Sequence, residues 1–140
     1  MWTGVFPAVT TKFTADDQLD HAEMERCFTL LMEAGCDGLV VAGSLGEGPM
    51  LSADERIAVL KTAQKVAGKK PVLLTINEPG TREGAAMARR AASEGADGLM
   101  VVPSPIYHTN PAETVATITT SRRSSRLLVA DSRICSMCSL

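Results

Sequence analysis

The 140-residue sequence predicts an α/β fold, the first four βα units of a (β/α)8 TIM barrel, truncated after the fourth helix. Three observations predict it. Short uncharged apolar runs alternate with longer stretches of helical periodicity. The run Gly38–Ala42 carries no charge, as expected of a strand covered on both faces of a parallel sheet. The helix-to-strand junction 35–41 (GCDGLVV) returns as 95–101 (GADGLMV), sixty positions on. Two repeats of about thirty residues fill that interval, the pitch of a barrel of about 250 residues. A doubly wound sheet fits the same alternation, but no strand leads into a G-x-G-x-x-G turn, against a dinucleotide-binding version.

The elements follow in order. Residues 4–9 (GVFPAV) form the first strand candidate, weakened by Pro7, which has no ladder N–H. Asp20 caps a helix with Glu23 three residues on. Met24, Cys27, Phe28, Leu31 and Met32 recur along one face before Gly35 ends it. After the second strand at 38–42, Ser52 and Glu55 make a capping-box pattern. Ile57, Leu60, Ala63 and Val66 line that helix, and Gly68 stops it. Residues 71–76 (PVLLTI) are a third strand, 81–94 an Ala-rich helix and 98–102 (GLMVV) a fourth strand. Asn110, Pro111 and Glu113 supply a cap, an N1 proline and an N3 glutamate for a fourth helix. Four parallel strands leave two open edges and an uncovered apolar face, so a partner or further barrel units are expected.

Composition is that of an ordinary globular chain: 45% hydrophobic, 21% charged, net charge -2. Nothing marks a nucleic-acid or membrane partner, and the opening residues Met1-Trp2-Thr3-Gly4 do not read as a signal peptide. Cys27, Cys36, Cys135 and Cys138 make no disulfide framework, so a reducing cytoplasm is expected. A single CxxC without further ligands is a poor zinc site, and no metal is expected.

Residues 1–120 read as the barrel domain and 121–140 as an atypical tail with six serines, four arginines and two cysteines. Residues 127–129 (LLV) allow a short strand there. The tail reads as a low-complexity interaction segment or as the product of a shifted reading frame.

The chemistry gathers at Gly43-Ser44-Leu45-Gly46-Glu47, which follows the second strand. The carboxyl ends of parallel strands are where such folds bind ligands. Ser44 either serves chemistry or satisfies a tight turn, and Glu47 either acts as a base or anchors the turn by accepting backbone N–H groups. Asn77 and Glu78 sit at the same end of the next strand as candidate substrate contacts. His21 reads as an exposed helix residue and His108 as a solvated loop histidine. Asp37 and Asp97 lie at the opposite end and read as stability residues.

Several motifs in order resemble the dihydrodipicolinate synthase / N-acetylneuraminate lyase family. They are residues 4–11 (GVFPAVTT), 43–47 (GSLGE) with Leu51, Ser52, Glu55 and Arg56, 95–98 (GADG), and Pro103, Pro105 and Tyr107. The resemblance covers residues 1–119. It implies a class I aldolase-type lyase acting on pyruvate or another 2-keto acid through a lysine Schiff base, without a cofactor. It implies Ser44 and Tyr107 as members of a proton relay. Gly43, Ser44, Leu45 and Gly46 match the carboxylate-binding turn, a nest-like anion site. It also implies a homo-oligomer, dimer or tetramer, in the full-length family.

The sequence departs from that pattern at Leu45, where Thr or Ser is usual, and at Ser104 and Ile106. Leu45 leans away from the synthase activity itself and toward a catabolic dehydratase or deaminase, such as a pyrroline-carboxylate deaminase. The five lysines, Lys12, Lys61, Lys65, Lys69 and Lys70, match neither the position nor the setting of the family's Schiff-base lysine. A non-catalytic half-barrel or a small anion-binding domain are the competing readings.

Overall fold

The structure, a computed structural model, describes residues 2–102, 112–113, 115–116, 118–120 and 128–131. Helix α1 (His21–Glu33) starts where Asp20 accepts the Glu23 N–H at 2.9 Å. Strand β1 (Leu39–Val41) leads into the turn and a 3-10 segment, Gly48–Met50. Helix α2 (Ala53–Ala67) begins with the full capping box: Ser52 Oγ accepts from Glu55 N, and Glu55 Oε2 accepts from Ser52 N. Strand β2 (Val72–Ile76), helix α3 (Thr81–Ser93) and strand β3 (Gly98–Val101) complete the expected alternation. Residues 112–120 are helical wherever they are described.

The sheet is parallel throughout, in the order β1-β2-β3-β4, with β4 at Leu128–Asp131. The strand allowed in the tail is therefore present, with Leu128 beside Gly98. The first strand candidate is reduced to one parallel bridge, Ala8 with Val40. Val40 N donates to Pro7 O and Val9 N to Val40 O, both at 3.0 Å. Pro7 has no N–H to extend that ladder.

The two faces of the sheet sort by residue parity. Val72, Leu74 and Ile76 of β2 join a buried cluster with Met24, Phe28, Leu60 and Ala88 from the helices. Leu73 and Thr75 are also buried but do not belong to that cluster, as alternation along a strand requires. Thr75 is thus on the face turned away from the helices, the interior side of a barrel.

The repeated junction is repeated in its bonds. Gly35 and Gly95 adopt φ values of +90° and +82°, which glycine accepts without a Cβ penalty. Cys36 N reaches back to Leu31 O, and Ala96 N to Ala91 O. Asp37 Oδ2 accepts Val5 N at 2.7 Å, and Asp97 Oδ2 accepts Val72 N at 2.9 Å. Asp97 thus ties the start of β2, and Asp37 ties the segment that leads to the Ala8–Val40 bridge.

Candidate functional site

The carboxyl end of β1 is built around a forced backbone. Ala42 is fully buried yet has φ of +54°, a conformation costing a non-glycine residue roughly 1–2 kcal/mol. Three contacts hold it. Asn77 Nδ2 donates to Ala42 O at 3.4 Å. Gly48 lies so close that a Cβ there would stand 1.9 Å from Ala42 O. Gly48 N donates to Gly43 O at 2.9 Å, closing the turn. From the other side, Thr11 Oγ1 donates to Gly46 O at 2.6 Å, and a Cβ on Gly46 would meet Val9 O at 2.8 Å. The glycines at 46 and 48 are required by close approach of backbone to backbone.

The turn so fixed presents free donors. Among the described residues, the amides of Ser44, Leu45 and Gly46 have no protein acceptor, and the Ser44 hydroxyl has no hydrogen-bond partner. Ser44 and Leu45 are exposed, Leu45 at 61%, while Gly43 and Gly46 are buried. Three consecutive unpaired N–H groups at the ligand end of a parallel strand are suited to an anion. Glu47 does not anchor the turn as one reading expected. It is exposed with φ of +55°, and no backbone N–H is donated to its carboxylate among the described residues. Its left-handed backbone and the Gly48 amide close the turn instead. A surface cavity of about 480 Å³ beside the turn is lined by Phe13, Asp17, Glu47, Met50, Leu51 and Glu55. Its three carboxylates disfavour an anion there.

The end of β2 is locked by Arg56, a motif residue to which the sequence alone assigned no role. Arg56, only 5% exposed on α2, pairs with the Glu78 carboxylate and donates to Thr75 O. Glu78 Oε2 in turn accepts Asn77 N at 3.1 Å. Glu78, a candidate substrate contact in the sequence, is engaged in this ion pair. Asn77 is placed beside the turn, its amide on Ala42. The signal for Arg56 was its place on the apolar face, one turn before Leu60. A charge at such a position is rarely left unpaired.

The other candidates fall as follows. His21 is exposed, with Nδ1 2.8 Å from Thr62 Oγ1. Tyr107, His108, Pro103, Pro105, Ser104, Ile106, Cys135 and Cys138 lie outside the described residues. Lys61 and Lys65 pair with Glu94 and Glu25, and Lys70 donates to Cys36 O at 2.6 Å. Lys12 lies in the loop before α1, its backbone O accepting Asp20 N at 2.8 Å, and Lys69 follows α2 in an exposed turn. The strands end at Val41, Ile76, Val101 and Asp131, none of them beside a lysine. No group of three or more His, Cys, Asp or Glu among the described residues could hold a metal.

Residues 1–117 match the model of the dihydrodipicolinate synthetase family. The 4-hydroxy-tetrahydrodipicolinate synthase of Natronomonas pharaonis is 40% identical over 107 residues, covering 76% of this chain and 36% of that protein. An uncharacterised DapA-like lyase of Halobacterium salinarum is 37% identical over 121 residues, 86% of this chain and 39% of the relative. A prophage protein of the dihydrodipicolinic acid synthase family from E. coli K12, solved in complex with pyruvate, superposes with a TM-score of 0.86 at 33% identity. That match covers 94% of this chain and 44% of the solved one. The chain thus spans well under half the length of these proteins and corresponds to the amino-terminal part of their barrel. With the turn, the repeated junction and the parallel sheet in place, the match over residues 1–117 assigns the chain to the dihydrodipicolinate synthetase family.

Proposed function

We propose that these residues form the carboxylate-binding part of a lyase or synthase that acts on pyruvate or another 2-keto acid through a Schiff base. The observation that supports it most is the run of free amides at Ser44, Leu45 and Gly46, held open by a buried framework. The pyruvate complex of the E. coli K12 family member supports the same substrate class. In this reading Ser44 Oγ passes a proton at the reacting carbon, with Tyr107 as its relay partner. The turn fixes the carboxylate so that the keto carbon is presented to a lysine amine. The amine adds to the keto carbon, and loss of water from the resulting carbinolamine gives an imine, the electron sink on which an adjacent carbanion is stabilised.

The chain by itself forms no imine in this reading, because its lysines sit on outer helices, in loops or at the amino end of the sheet. Exposed Leu45 adds no hydroxyl to the site. That favours a dehydratase or deaminase over the synthase. A homo-oligomer, dimer or tetramer, of the full-length protein and a cytoplasmic location belong to the same proposal.

The test is a titration of the 140-residue chain with pyruvate, followed by borohydride. Weak reversible binding that falls on Ser44→Ala, with no covalent adduct, is the expected result. A stable reduced adduct on any of the five lysines contradicts the proposed division of labour.

A further inference from the structure

Thr75 carries a hydroxyl that the fold does not explain. It lies on β2, completely buried, and its Oγ1 has no hydrogen-bond partner among the described residues. A buried hydroxyl without a partner forgoes its hydration, at a cost that proteins ordinarily avoid by bonding it or by using valine. The backbone gives no reason for it, since Val72, Leu73, Leu74 and Ile76 fill the rest of the strand with apolar groups. Thr75 faces away from the helical core, on the barrel-interior side.

Its surroundings point to the turn. A Cβ placed on Gly43 would stand 3.4 Å from Thr75 Oγ1 and 3.7 Å from Met100 Cε. The hydroxyl therefore lies directly under the glycine that opens the run of free amides. Its neighbour Asn77, 5% exposed, also leaves one atom, Oδ1, unpartnered among the described residues. Two nearly inaccessible polar side chains thus keep unused hydrogen-bonding capacity at the same strand end. Arg56 fixes that strand end through Thr75 O, so the Thr75 backbone is held in place from outside while its hydroxyl stays free inside.

We propose that Thr75 is a further binding residue of this site, its hydroxyl donating to an oxygen of the bound 2-keto acid beneath Gly43. This rests on the reading of the turn as the carboxylate site. It assigns to β2 a donor that exposed Leu45 cannot supply. The ligand oxygen then receives amide donors from the turn and one hydroxyl from the adjacent strand. A hydroxyl donating to an ionised acceptor is among the stronger neutral-donor hydrogen bonds.

The experiment compares the 140-residue chain with Thr75→Val and Thr75→Ser, using pyruvate as the probe and both affinity and melting temperature as readouts. Thr75→Val keeps the shape and removes the orphaned hydroxyl. It is expected to melt at least as high as the parent while binding pyruvate about tenfold more weakly, the loss of roughly one charge-assisted hydrogen bond. Thr75→Ser keeps the hydroxyl and is expected to bind within about twofold of the parent. Unchanged affinity in Thr75→Val, with the Ser44→Ala effect intact, overturns the inference and leaves the turn reading standing. A lower melting temperature in Thr75→Val overturns it too, because the hydroxyl then has a structural partner. Equal loss in both Thr75 variants has the same consequence. If the parent chain does not bind pyruvate at all, the turn reading and this inference fall together.

Discussion

The lock at the end of β2 gives a prediction whose size follows from burial. Arg56→Met keeps much of the aliphatic stem but removes the guanidinium. The Glu78 carboxylate, 13% exposed, is then left with Asn77 N as its remaining named donor, and Thr75 O loses its side-chain donor. Breaking one side of a buried pair costs about 3–5 kcal/mol, because the remaining charge stays desolvated. Partial exposure of Glu78 places this case at the lower end, about 3 kcal/mol. For a chain of this size that lowers the melting temperature by roughly 10 °C. Adding Glu78→Gln removes the stranded charge while leaving Asn77 N an acceptor, so the double variant recovers most of the loss. Thermal and urea unfolding, followed by circular dichroism, measure all three chains. A single-variant cost under about 0.5 kcal/mol, typical of a solvated surface pair, refutes the buried lock. So does a double variant no more stable than Arg56→Met.

Two further perturbations probe the turn and the helix starts. Gly48→Ala puts a methyl into Ala42 O, a backbone atom that cannot swing aside. It is expected to cost about 2 kcal/mol or more and to abolish pyruvate binding, measured by melting and titration. Acid should weaken the helix starts. The Arg26 guanidinium holds Glu23 down at about 2, and the Ser52 hydroxyl and amide lower Glu55 from the usual carboxylate range. A depressed folded-state value means stability is present above the ordinary glutamate value and is lost as pH falls through the lowered one. The melting temperature should therefore decline as pH drops from about 4.5 toward about 2, and less steeply in Ser52→Ala. An equal decline in that variant would remove Glu55 from the account.

Elements with local chemical signals were legible in the sequence. The caps at Asp20 and Ser52 start helices where they were expected, because a side-chain oxygen and a helix N–H meet within three residues. The repeated Gly-x-Asp-Gly marked two junctions with the same bonds. Residues 4–9 read too strongly as a strand. Their apolar character is real, but Pro7 leaves one bridge. The turn was legible through its glycines, although the roles were not. Glu47 was credited with anchoring that Gly48, Thr11 and Asn77 perform, and Thr11 and Asn77 lie far away in sequence. The pairing of Arg56 with Glu78 and the free Thr75 hydroxyl were unreadable for the same reason. An ion pair between α2 and the end of β2 exists only once the sheet has brought residues 56, 75 and 78 together.

The central claim is that the turn after β1 binds the carboxylate of a 2-keto acid. Amide chemical-shift mapping of the 140-residue chain during a pyruvate titration tests it most directly. The largest shifts are expected on the amides of Ser44, Leu45 and Gly46, with Thr75 beside them, and Ser44→Ala is expected to diminish them. Shifts centred on the acidic cavity at Phe13, Glu47 and Glu55, or no shifts at all, would contradict it.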